Sequence, residues 1–124
     1  MNYLINTQSN DIVEYDQDYY TLSKNLRTEH WRQATAQEVK PYLVEKHIPC
    51  IKQEAHTRIT AIYPITKQLN LIYSQSFEQD AYRAMVTFIE NIRMKSNALE
   101  LKIAKYTVKQ LETFDCSDDK HWAD

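Results

Sequence analysis

The chain has 124 residues and a formal net charge of −2, a size that suits one domain or a small domain with a helical extension. It contains no glycine, where average usage leads one to expect about eight or nine. That absence excludes the phosphate-cradling loops of nucleotide folds and the strained nucleophile elbow of hydrolases, which need a residue without Cβ.

Tight hairpin turns must then fall to Asn or Asp at positive φ. The composition therefore predicts a mainly α chain of the α+β class. Asn2–Asn6 and Ile12–Tyr15 are short β-prone runs in which Tyr3 and Ile5 alternate with Leu4, and the polar residues between them suit a hairpin turn. A third extended run around Trp31, within 29–33, completes a small sheet that needs a helix to cover one face.

Thr35 and Glu38 have capping-box spacing, so a helix is predicted to begin at Ala36. It presents Val39, Tyr42 and Leu43 on one face, and the proline at position 49 predicts its end there, because proline disfavours helical geometry in the preceding residue. Pro41 lies inside it, which predicts only two or three turns.

From Cys50 onwards Ile51, Ala55, Ile59 and Ile62 recur at three- and four-residue steps, the pattern of one buried helix face. Pro64 kinks this helix or restarts it with the proline at its first position. Ile65, Leu69 and Ile72 continue the stripe. After the polar connection 74–76, a second stripe runs through Phe77, Ala81, Met85, Phe88, Ile89, Ile92, Leu99 and Ile103, with Tyr106 in phase.

Two such stripes joined by a short connection predict a long antiparallel helical hairpin. Its apolar positions are expected to be core, with any surplus face available for a homo-oligomer. Leu111 and Phe114 extend the second helix, and beyond them lies an acidic tail that is anchored where Trp122 docks. The organisation expected is a small β-rich region with a short helix over 1–47, the hairpin over 48–114 and the tail over 115–124.

Charge is divided in the same way. Residues 1–45 sum to −3, 46–109 to +5 and 110–124 to −4. A charge of +5 spread over the helical middle is far from the concentrated basic face that binds nucleic acid. No apolar run reaches membrane-spanning length and no signal sequence is read at Met1. Cys50 and Cys116 are too few for a disulfide framework, which fits a reducing compartment.

Chemistry-bearing residues are sparse. His47, Cys50, Cys116 and His121 supply two sulfur and two nitrogen donors, but no CxxC pair nucleates a zinc site. Cys50 with His47 or His56 has the residue types of a nucleophile and base without the surrounding geometry that defines one. Asp115, Asp118, Asp119 and Asp124 lack calcium-loop spacing. The expectation is a protein that is not an enzyme and holds no metal or cofactor.

Nine tyrosines and two tryptophans are more telling, since amphipathic aromatics supply rigid contact area at interfaces. Tyr15, Tyr19, Tyr20 and Trp31 cluster where the core is smallest and suit a partner surface, with Tyr19, Tyr20 and Trp31 as the candidate contacts, against the alternative that these aromatics close the small sheet. Lys67, Gln68 and Asn70 should leave the apolar stripe and face outward. Arg93, Ser96 and Asn97 on the next helix suit either partner contact or hydrogen bonds within the hairpin.

Three islands carry a resemblance. Glu54, Ala55, Arg58 and Ile59 followed by Lys67, Gln68, Asn70 and Leu71 read EA-x-x-RI…KQ-x-N-L. Ile92, Arg93, Ser96, Leu99 and Glu100 read IR-x-x-S-x-x-LE, and residues 111–115 (LETFD) with 118–122 (DDKHW) close the chain. Together they resemble the helical C-terminal region of small phage and prophage proteins of the tail-gene neighbourhood. Residues 3–6 (YLIN) and 34–39 (ATAQEV) are similar to the opening of tail-fibre assembly proteins. Pro64, Ile65 and Thr66 replace the tryptophan-containing approach to the KQ phrase in that family.

The resemblance implies a non-enzymatic tail or tail-fibre assembly factor, or a minor tail component, acting in the host cytoplasm or associated with the virion. Its partner would be a phage tail protein. The alternative is a phage-encoded inhibitor that binds a host defence complex stoichiometrically.

Overall fold

The computed structural model describes residues 2–15 and 30–124. It is mainly helical with a small antiparallel sheet at its beginning, and it divides into two compact units. One comprises Met1–Glu45 with Tyr106–Phe114, the other Lys46–Lys105 with Asp115–Asp124.

In the first unit, strands β1 (Asn2–Asn6), β2 (Ile12–Tyr15) and β3 (Trp31–Gln33) lie in the order β2-β1-β3. Ile5 is registered with Ile12 on one side and with Arg32 on the other. The β1–β2 turn is built without glycine. Asn10 takes positive φ (63°), as the composition requires, and the Asn6 side-chain oxygen accepts from the amides of Gln8 and Ser9 at 2.9 and 3.1 Å.

One expectation for the sheet is corrected. Tyr3, Leu4 and Ile5 are all buried, so β1 is covered on both faces, where cover was expected for one. Successive strand side chains point to opposite faces, and β1 is the central strand. Its Tyr3 hydroxyl donates to Glu112 Oε2 at 3.1 Å, and its ring meets that of Tyr42 edge-on at 6.3 Å.

Helix α1 spans Ala36–Ile62. Its start is the predicted capping box: Thr35 N–H donates to Glu38 Oε1 at 3.0 Å and Glu38 N–H donates to Thr35 Oγ1 at 3.3 Å. Arg32 on β3 adds a bidentate pair to the same carboxylate at 2.7 and 2.6 Å, tying the strand to the cap.

The predicted break at Pro49 is absent; the helix runs through Pro41 and Pro49 alike. Each proline removes one i→i−4 bond at a cost of about 3 kcal/mol in a helix interior. Against that, Val39, Leu43, Ile51, Ala55 and Ile59 are buried before and after the prolines, at about 1.5–3 kcal/mol for each large aliphatic side chain. Burial wins over local propensity.

The predicted extension of the second helix to Phe114 is also corrected. Helix α3 (Gln79–Ile103) ends at Ile103. A separate helix α4 (Val108–Glu112) begins with a capping box of its own between Thr107 and Gln110. Its Leu111 is fully buried, and Tyr106 and Phe114 on either side meet edge-on at 6.1 Å.

In the second unit α1 and α3 run antiparallel: Lys52 pairs with Glu100 at 4.0 Å, and near the other end the Tyr63 and Phe88 rings lie 5.5 Å apart. Met85, Ile92, Ser96, Leu99 and Ile103 form the buried stripe of α3. The expected anchoring of the tail by Trp122 is present. Trp122 is buried, its indole N–H donates to Cys116 O at 2.8 Å, and Arg58 lies 5.4 Å from its ring centre. Lys95 donates to the Trp122 carbonyl at 2.8 Å and to the Asp124 carboxylate.

Candidate protein-interaction surface

After Ile62 the chain breaks at Tyr63 and restarts as helix α2 (Ile65–Tyr73). Pro64 occupies the cap position with extended geometry (φ −55°, ψ 154°), and not the first helical position expected for it from sequence. The break is tightly held. Gln68 Nε2 donates to Tyr63 O at 2.7 Å, Lys67 Nζ lies 5.0 Å from the Tyr63 ring centre, and Phe88 approaches that ring.

From Ile62 onwards the expected core is overturned. Ile65, Leu69 and Ile72 are not buried; they are 54, 57 and 46% exposed, with Ile62 at 52%. The half-buried positions of α2 are Gln68 and Leu71. A stripe continuous in sequence is thus not buried throughout: it leaves the core at Ile62, before the break, and α2 turns Gln68 and Leu71 inward instead.

At the end of α2, Ser74 donates its backbone N–H to Asn70 O at 3.0 Å, and its hydroxyl lies 2.9 Å from Glu78 Oε2. The connection leaves Tyr73 94% and Phe77 90% exposed, so Phe77 too departs from its expected place in the core. Tyr73, Gln75, Ser76, Gln79, Tyr82 and Arg83 line an open depression of about 620 Å³. Aromatic residues and arginine are enriched where interfaces draw most of their energy.

The candidate contact residues separate on this framework. Lys67 and Asn70 are exposed on α2 as expected, whereas Gln68 is half-buried and committed to the Tyr63 carbonyl. Arg93 and Asn97 are exposed on α3. Ser96 is buried between Ile92 and Leu99 on the inner stripe, so as a partner contact it is corrected to an interior residue. Trp31 is half-exposed on β3; Tyr19 and Tyr20 lie outside the described residues. Sequence reasoning missed Tyr73, whose place beside the Ser74–Ser76 connection was the available signal.

Among the described residues no group of three or more His, Cys, Asp or Glu side chains is arranged to hold a metal. Cys50 and Cys116 are free thiols. Burial, and after it the charges of Cys50 and Glu54, pushes the Cys116 thiol above its ordinary value, which keeps it protonated and poorly nucleophilic. No described helix is long and apolar enough to cross a membrane.

No family model, curated protein or solved structure matches the chain.

Proposed function

We propose that this protein acts without catalysis, by binding protein, as a phage tail or tail-fibre assembly factor or a minor tail component in the host cytoplasm. The observation that carries the binding reading is the open face of Ile62, Ile65, Leu69, Ile72, Tyr73 and Phe77, six large apolar residues each about half or more exposed. Large exposed apolar patches mark interaction sites in soluble proteins, and Ile65, Leu69 and Ile72, at steps of four and three, share one face of α2. The tail assignment draws on the resemblance of the EA-x-x-RI…KQ-x-N-L and IR-x-x-S-x-x-LE phrases, and the KQ-x-N-L phrase lies on the helix that presents this face.

The test is co-expression of the tagged full chain with the tail proteins of its phage. Capture of one tail protein in fixed ratio, reduced by Ile65→Glu, is the expected result. Failure to capture any tail protein removes the tail assignment, and capture unaffected by Ile65→Glu removes this face from it.

A further inference from the structure

We infer that the open face of α2 closes on a second copy of this chain, in an isologous pair of antiparallel α2 helices, until a tail protein takes its place. This rests on the reading that the face binds protein and names its first occupant.

Three observations carry it. The first is spacing: within α2, Ile65, Leu69 and Ile72 recur at steps of four and three, the seam pattern by which two helices interdigitate. With a two-fold axis passing beside Leu69, Ile65 of one copy meets Ile72 of the other and the two Leu69 side chains flank the axis. A two-fold contact must be self-complementary, and this register satisfies that with aliphatic residues alone.

The second is area. From their fractional exposures, the six residues offer on the order of 700 Å² per copy, taking about 150–250 Å² for each aromatic side chain and slightly less for each aliphatic one. A standard stable interface buries about 800 Å² per partner.

The third is charge. From Ile62 to Phe77 the only charged residue is Lys67, and its ammonium is folded back over the Tyr63 ring of its own chain. Self-association brings every charge on a surface close to its own copy. A face this poor in charge pairs with itself without repulsion, as the cores of protein interfaces do.

Light scattering of the purified full chain tests the pairing. The expected species has twice the 14.8 kDa monomer mass, and Leu69→Glu, an exposed position whose change leaves the far-ultraviolet circular dichroism unaltered, weakens dimerisation by more than about a hundredfold. In a Cys50→Ser, Cys116→Ser background, Leu69→Cys forms an intermolecular disulfide on oxidation. A chain still monomeric at about 100 μM, well above the micromolar weak end for interfaces of this size, overturns the inference. So does a dimer that persists in Leu69→Glu. A monomeric chain that nevertheless captures a tail protein through this face sinks the pairing alone, whereas the broader reading falls only when that capture fails as well.

Discussion

Arg58 holds the second unit together at a single side chain. It donates to Glu54 Oε1 at 2.9 Å, to the Ser117 carbonyl at 2.9 Å and to Asp119 Oδ1 at 2.7 Å, while its plane approaches Trp122. Only the planar guanidinium serves all of these. Arg58→Ala is expected to cost about 2 kcal/mol in urea unfolding and Arg58→Lys to recover less than half, because hydrogen bonds to charged groups are worth about 1.5–3 kcal/mol and Asp119 is solvent-exposed.

Glu38 gives the residue-scale pH dependence. The paired Arg32, then the Thr35 amide, hold its carboxyl down from 4.5 to about 2. A carboxyl depressed in the folded state contributes stability that is complete above its unfolded value and is lost as pH falls through the folded one. The contribution of this cap should therefore fade between about pH 4.5 and pH 2. Carbon-detected titration should find the Glu38 midpoint near the lower end of that window, and Arg32→Ala should move it upward.

At the scale of elements, the prolines of α1 separate propensity from packing. If the helix is carried by its buried stripe, Pro49→Ala restores a backbone donor and is expected to raise stability by about 1–3 kcal/mol. A loss of stability instead would mean that local proline geometry is needed for the packing of Ile51. Helix α4 is the opposite case, too short to form alone and fastened by its Thr107 cap and by Leu111. Leu111→Ala should cost about 2–5 kcal/mol and Thr107→Ala about 1 kcal/mol, both measurable by chemical denaturation. The box at Thr35 was read from the sequence, whereas that of Thr107 with Gln110 was passed over for a helix continuing to Phe114. The exposure of the apolar stripe from Ile62 to Ile72 was not legible there, because periodicity shows which residues share a helix face and not whether another surface covers that face.

For the whole molecule, the proposed binding face is nearly free of charge, and its association should respond to salt accordingly. Between about 50 and 500 mM sodium chloride the dimer constant should change by less than about threefold, since screening acts only on charges. Added sulfate should strengthen it. Sedimentation equilibrium at several ionic strengths checks this, and a steep weakening with salt would point to a contact made by the charged residues of α3 instead.

The sequence by itself determined the α+β class, the three strands, the Asn turn and the cap at Thr35. Each depends on local chemistry: alternation in short β-prone runs, positive φ without glycine, hydroxyl and carboxylate at fixed spacing. Only the tertiary structure decided that α1 passes through two prolines, that Ser96 lies inside, and that Ile65, Leu69, Ile72 and Phe77 lie outside. Those outcomes depend on which faces find partners. An apolar residue is core only when another surface covers it, and a proline breaks a helix only when burial on either side does not offset the lost bond.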